Sequence, residues 1–126
     1  MDLTVSPPIR RTAYAALTTV LLATIVTALV AWDTGYWQLA AFLVGPDLAL
    51  LAGAGRGLAK GQLHPRAVPF YNAVHRFWGP AVLAAVTALG GLPRGYLVGA
   101  AAWACHVALD RTAGYGLRTR DGFQRT

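Results

Sequence analysis

The strongest constraint on the fold is a continuous run without charged side chains, which covers residues 13–32. At about 1.5 Å per residue, a helix of about twenty residues crosses a hydrocarbon core of roughly 30 Å. A cleavable signal peptide is the competing interpretation, because Arg10 and Arg11 precede the run, but no Ala-x-Ala site ends it. The run therefore predicts a first transmembrane helix.

Three more apolar stretches follow the first, and each is bounded by a turn or a polar loop. They predict spans over residues 36–54, 67–90 and 95–112, a basic loop over 55–66 and a polar tail over 113–126. Charged residues make up 13% of the chain, whereas a soluble domain of ordinary composition has about 25%. We therefore expect an all-α integral membrane protein, a four-helix bundle that forms one domain over residues 1–126.

The basic residues fall between the apolar stretches and not on one face, although the net charge is +6. Most of them lie on the two tails and the loop after the second span, namely Arg10, Arg11, Arg56, Lys60, Arg66, Arg118, Arg120 and Arg125. The turns on the opposite side hold only Arg94. Because lysine and arginine concentrate in cytoplasmic loops, we expect both termini in the cytoplasm and the chain in the inner (plasma) membrane. Membrane lipid, and not nucleic acid, is the expected partner.

Polar side chains on three of the predicted spans fall at one depth, roughly 5–12 Å below the cytoplasmic surface by the helical rise. They are Asp47, Asn72, His75, His106 and Asp110. His106 and Asp110 are four residues apart and therefore share one face of a helix. Ionisable residues at membrane depth face the bundle interior and usually have a partner or a function. The sequence therefore predicts a polar pocket that faces the cytoplasm.

Two imidazoles and two carboxylates suit either of two chemistries. As ligands of a divalent metal, Zn²⁺ or Fe²⁺, the candidates are Asp47, His75, His106 and Asp110. As a metal-free acid/base site in which a carboxylate orients a histidine, the catalytic candidates are His75, His106 and Asp110. The rest of the predicted polar pocket is Tyr71, Asn72, Arg76 and Arg111.

A purely structural interpretation accounts for the same residues. Arg76 could neutralise Asp47, and Asp110 could pair with Arg111 or Arg118 near the membrane surface. The two histidines would then be neutral core residues that hold helices together by hydrogen bonds. Both interpretations stay open at the level of sequence.

Prolines and glycines add predictions about helix geometry. Pro46 and Pro80 lie inside predicted spans, so each should kink its helix and free a carbonyl, that of Phe42 or Arg76, beside the polar layer. These carbonyls are candidate extra ligands. Small residues at Gly95-x-x-x-Gly99 should let another helix approach the fourth span closely.

Four motifs carry a family resemblance. They are Phe42-Leu-x-x-Pro46-Asp47-Leu, Tyr71-Asn72-x-x-His75 followed by Pro80, Trp103-x-x-His106-x-x-x-Asp110-Arg111-x-x-Gly114-Tyr115-Gly116-Leu117, and Gly122-Phe123. With these motifs the chain resembles the small bacterial membrane proteins grouped as domain of unknown function 4260. The resemblance implies an integral membrane protein with four helices and assigns no activity.

Two functions of different classes remain compatible with these patterns. The first is a membrane-embedded hydrolase that acts on a lipid-like or amphipathic substrate, with histidine and aspartate binding a metal or acting as base. The second is a membrane subunit or small transporter whose polar layer fixes helix packing or carries protons. For protein partners, a homo-oligomer and a larger membrane complex both stay open.

Overall fold

The computed structural model describes residues 6–125, and this part of the chain is all-helical, apart from an isolated bridge between Arg118 and Gln124. The helices are α1 (Pro7–Trp32), α2 (Tyr36–Val44), α3 (Leu48–Ala52), α4 (Val68–Val74), α5 (Trp78–Ala88) and α6 (Gly95–Ala113), with single 3₁₀ turns at Gly45–Asp47 and Pro65–Ala67. The expected all-α class is confirmed. Residues 1–5 of the predicted N-terminal tail and residue 126 lie outside the described residues.

Helix α6 is the centre of the fold, because α1, α2 and α5 all pack against it. Its glycines allow neighbouring helices to approach closely. A Cβ on Gly99 would come within 2.8 Å of the Phe42 ring, so Phe42 of α2 packs directly against the backbone of α6. On α5, a Cβ on Gly79 would come within 2.5 Å of the Trp103 ring. The close approach predicted for the fourth span is therefore confirmed, and the helix that approaches is α2.

Helix α1 leaves most of its apolar surface uncovered. Only 11% of its most apolar 18-residue stretch is buried in the protein, and the side chains of Val20, Val26 and Val30 are 59–79% exposed. Within residues 6–125, α1 is the one helix long and apolar enough to cross a membrane. An apolar surface of this extent is unusual on a soluble protein and indicates a lipid or protein environment around it.

The second and third predicted spans are interrupted, which is why their helices are shorter than a bilayer requires. The chain leaves α-helical geometry at Gly45–Asp47, around Pro46, and again between α4 and α5, just before Pro80. Proline lacks the N–H that would continue the helical ladder, so both breaks have a local cause. The kinks predicted at the two prolines are found as breaks that separate short helices.

The start of α1, the basic loop and the C-terminal tail meet at one end of the molecule. The Arg11 Nε donates to the Thr112 carbonyl at 2.8 Å, which joins the start of α1 to the end of α6. In the loop, the Leu63 N–H donates to the Gly122 carbonyl at 2.9 Å. Loop and tail therefore pack together at this end of the fold.

Candidate metal centre

Four of the predicted site residues come together where the helices break. Asp47 ends the 3₁₀ turn after α2, His75 caps the C-terminus of α4, and His106 and Asp110 lie on consecutive turns of α6. One nitrogen or oxygen atom from each side chain lies within 4.8 Å of those of the other three. Three separate segments therefore deliver two imidazoles and two carboxylates to one point.

Five of the six distances between these atoms are close to those in a tetrahedral metal site. The His106 Nε2 lies 3.3 Å from the His75 Nε2, 3.2 Å from Oδ1 of Asp47 and 3.4 Å from Oδ2 of Asp110. The His75 Nε2 lies 3.3 Å and 3.6 Å from the same two oxygens. Four ligands at about 2.1 Å from a tetrahedral Zn²⁺ are about 3.4 Å apart. Neighbouring ligands of an octahedral metal at that bond length would be about 3.0 Å apart, which fits less well.

Backbone carbonyls fix the orientation of both imidazoles. The Nδ1 of His75 lies 2.8 Å from the Tyr71 carbonyl, and the Nδ1 of His106 lies 2.7 Å from the Leu43 carbonyl. A carbonyl can only accept, so each Nδ1 carries the proton, and each Nε2 of a neutral ring points a lone pair into the cluster. Two lone pairs at 3.3 Å repel each other unless a proton or a cation lies between them. The cluster is therefore arranged to hold positive charge.

The cluster is open on the side of its carboxylates. Both histidines are buried, whereas the side chains of Asp110 and Asp47 are 25% and 46% exposed. Although Asp47 lies inside a predicted span, its carboxylate is half-exposed, because the 3₁₀ turn carries it to the edge of the fold. A ligand from solvent would approach from the side of Asp47.

The ion pairs do not follow the structural interpretation of the sequence. Every ion pair among residues 6–125 joins a histidine to Asp47 or Asp110 within the cluster. Arg76 is exposed and does not neutralise Asp47, because the chain breaks directly after His75 and turns the next side chain outward. Neither Arg111 nor Arg118 pairs with Asp110 in the described part of the chain.

Tyr71 supports His75 by packing. The two rings stack with their centroids 3.9 Å apart and an angle of 16° between their planes. The Arg118 guanidinium packs over the Tyr71 ring, with its central carbon 4.9 Å from the ring centroid. Tyr71 therefore fixes the plane of the His75 imidazole through both its ring and its carbonyl.

Asn72 was predicted to face the same pocket, but its side chain pairs with the C-terminal tail. Its amide nitrogen donates to the Arg118 carbonyl at 3.0 Å, and its oxygen accepts from the Arg118 N–H at 2.8 Å. Both polar ends of the amide are thereby used. Asn72 anchors the tail beside the cluster and is not among the four converging ligands.

Arg111 buttresses the other side of His75. Its Nη2 donates to the His75 carbonyl at 3.2 Å, and its Nη1 lies 3.4 Å from the Tyr14 hydroxyl. The guanidinium lies beside a stacked pair of rings, 5.5 Å from the centroid of Tyr14 and 5.3 Å from that of Phe77. Arg111 was predicted from the sequence but neither aromatic was, since an isolated ring in an apolar run gives no signal of a distant partner.

The carbonyls used at the breaks differ from the predicted ones. Instead of Phe42 and Arg76, the acceptors are Leu43, which receives His106, together with Val74 and His75. The Val74 carbonyl accepts from the Trp103 indole at 2.7 Å. A proline leaves one carbonyl of the preceding turn without its hydrogen bond. A 3₁₀ turn or a break frees further carbonyls, because the α-helical hydrogen bonds between residues i and i+4 are lost at several positions. Each of these three carbonyls accepts a side-chain hydrogen bond and is not an extra metal ligand.

Comparison with known proteins gives the family. The family described as Domain of unknown function (DUF4260) matches residues 13–126, nearly the whole chain, so the protein belongs to it. The resemblance expected from the four motifs is thereby confirmed. No curated protein and no solved structure matches the chain.

Proposed function

We propose that this member of the DUF4260 family is a membrane-embedded hydrolase that depends on a zinc ion held by His75, His106, Asp110 and Asp47. The observation that carries the proposal is that each Nε2 atom lies 3.2–3.6 Å from the other Nε2 and from the two carboxylate oxygens. Nitrogen and oxygen ligands at these distances suit four-coordinate Zn²⁺. Fe²⁺ is the second choice, since a site with two histidines and a carboxylate also binds it when other positions are open.

The proposal includes a membrane topology of four passes with both termini in the cytoplasm. The exposed apolar surface of α1 supports it, and so does the meeting of the basic loop and the tail at one end of the molecule. The segments α2–α3 and α4–α5 would cross as broken spans. Broken helices are tolerated in a membrane when the freed backbone groups are satisfied inside the protein. The side chains of His106, Trp103 and Arg111 supply such hydrogen bonds at both breaks.

The four proposed zinc ligands differ in exposure, and we assign their catalytic roles accordingly. Three of the proposed zinc ligands are held rigidly. Tyr71 and Arg111 fix His75, and helix α6 carries both His106 and Asp110. Asp47 is the most exposed member, so it can release its position to the substrate and accept a proton from the attacking water. A zinc ion there would supply Lewis-acid chemistry to polarise the scissile bond.

The surroundings of the cluster suggest the class of substrate. The site lies at the end of the molecule where the basic loop and the tail meet, and the flanks of the helices are apolar. A molecule with its chain in the bilayer and its hydrolysable bond near the headgroups would reach Asp47. An amphipathic ester or amide fits this arrangement, and it belongs to the lipid-like or amphipathic substrates expected from the sequence.

The test combines metal content with turnover. Protein purified in dodecyl maltoside should contain one zinc per chain by elemental analysis, and it should release fatty-acid products from vesicles of phosphatidylethanolamine and phosphatidylglycerol. Asp47→Asn keeps an oxygen ligand but removes the base, so zinc should remain while turnover falls by about 100-fold or more. Arg76→Gln, an exposed change just outside the cluster, is the matched control. A metal-free wild-type protein would refute the proposal.

One observation favours a non-enzymatic function. The cluster offers four protein ligands, the number found in structural zinc sites, where no position is left for water. A membrane subunit or small transporter whose polar layer fixes helix packing would use the cluster in this way. Chelation would then lower the melting temperature of the wild type, and no vesicle lipid would be hydrolysed even by zinc-loaded protein.

A further inference from the structure

A second polar site lies apart from the metal ligands. A cavity of about 470 Å³ opens between the start of α1 and the C-terminal end of α6. Its polar lining comes mainly from arginines and tyrosines, namely Arg10, Arg11, Arg111, Arg125, Tyr14 and Tyr115. The volume falls within the range of about 300–1,000 Å³ that is typical of small-molecule pockets. The size and the lining together point to a small anionic ligand.

Within residues 6–125, no acidic side chain compensates the positive charge around this cavity. No aspartate or glutamate is among the described residues that line it, and every ion pair within residues 6–125 belongs to the candidate metal centre. Arg10 and Arg125 are exposed at the rim, whereas Arg111 is partly buried. Guanidinium groups gathered around one space repel each other, and an anion in that space turns the repulsion into attraction. The cavity therefore favours a negatively charged occupant.

Hydrogen-bond donors remain available inside the cavity. The Arg11 Nε donates to the Thr112 carbonyl, which offsets the negative end of the α6 dipole. Within residues 6–125 its two terminal nitrogens form no other hydrogen bond. The Nε of Arg111 has no hydrogen-bond partner among the described residues, but it is buried, so Arg111 contributes charge to the cavity and not an accessible donor. The Tyr14 hydroxyl accepts from Arg111, so its own hydrogen is left to donate. A tetrahedral oxyanion can use several such donors at once.

We propose that this cavity binds a phosphate group, carried either by free phosphate or by the headgroup of an anionic lipid. An arginine guanidinium can donate two parallel hydrogen bonds to two oxygens of one phosphate group. A halide ion has a single atom and cannot accept such a pair. The start of α1 would lie at headgroup level in the proposed topology, so both sources have access. The site goes beyond the proposed hydrolase, because no zinc ligand lines the cavity and binding requires no metal.

The experiment uses the intact protein and two probes. Inorganic phosphate is titrated calorimetrically into protein in dodecyl maltoside, before and after chelator treatment. In parallel, the protein is reconstituted with equal parts phosphatidylcholine and phosphatidylglycerol, and retained lipid is weighed by native mass spectrometry. The double variant Arg10→Gln with Arg125→Gln removes two rim arginines, and Arg56→Gln with Arg120→Gln removes two exposed arginines outside the cavity.

The rim variant should bind its ligand about tenfold more weakly, while the control variant and chelated protein should bind as the wild type does. Phosphate that displaces retained phosphatidylglycerol identifies the lipid headgroup as the ligand, and phosphate bound without lipid retention identifies free phosphate. Equal losses in the rim and control variants would reduce the effect to net charge and overturn the site. Failure of the wild type to hold either probe, or binding lost on chelation, would overturn it as well.

Discussion

His75 and His106 face each other with their Nε2 atoms 3.3 Å apart, while each Nδ1 is committed to a backbone carbonyl. The two rings meet at an angle of 61° with centroids 5.3 Å apart. Neither ring can turn without losing its carbonyl, so the carbonyls of Tyr71 and Leu43 keep the two lone pairs facing each other. This relationship makes a bound cation the simplest way to satisfy both rings.

The first prediction is that the two histidines act as one unit. If they share a zinc ion, His75→Ala, His106→Ala and the double variant should all lose bound metal to a similar extent, because a site missing one ligand already fails. Elemental analysis of the three variants beside the wild type measures this. Separate losses of stability that add together, about 0.5–2 kcal/mol each, with no metal to lose, would instead indicate packing histidines.

The second prediction concerns topology. The tails and the basic loop hold eight lysines and arginines against one in the opposite turns. A reporter fused after residue 126 should therefore be active in its cytoplasmic form. The same reporter inserted in the turn after Asp33 should be active in its periplasmic form. A periplasmic C-terminus would move the metal centre to the opposite side and contradict the orientation.

The third prediction follows from the position of Arg76, which is exposed while Asp47 pairs with the histidines. Arg76→Gln should change the free energy of unfolding by less than about 0.5 kcal/mol, as expected for a surface side chain. The charge swap Asp47→Arg with Arg76→Asp should fold no better than Asp47→Arg alone. Melting in detergent tests all three variants, and rescue by the swap would restore the pairing predicted from sequence.

Local patterns were enough to predict much of the helical fold. The apolar run and the glycines around α6 mark its bounds, and Gly114 adopts the left-handed conformation expected of its C-cap, with φ of 97°. Pro46 and Pro80 mark the breaks, because a missing N–H acts within one turn. The four converging side chains also lie at one level, since depth along a helix depends only on residue count.

Contacts between distant segments could not be predicted in this way. Arg111 reaches Tyr14 across 97 residues, and Gln62 bonds the Asp121 carbonyl across 59. The direction in which Arg76 points depends on a break whose rotation no periodicity encodes. The level of a residue along its helix can therefore be predicted from the sequence. The residue that it contacts depends on how the short helices are rotated relative to one another.

The last prediction separates Asn72 from the metal centre that it was expected to join. Its amide exchanges two hydrogen bonds with the backbone of Arg118, at 2.8 Å and 3.0 Å, and so fixes the tail against α4. Asn72→Ala should leave the Arg118 N–H and carbonyl unpaired and cost about 1–3 kcal/mol of tail docking. Zinc content should stay at the wild-type level, because none of the four ligand atoms belongs to Asn72.

Limited proteolysis measures the docking directly, since trypsin would cut at Arg118 and Arg120 once the tail is released. The matched control is Gln62→Ala, which removes one bond between the exposed loop and the tail and should speed cleavage less. Metal lost from Asn72→Ala while the tail stays protected would return Asn72 to the pocket. Faster cleavage with full zinc would instead separate tail docking from metal binding, as the paired amide geometry requires.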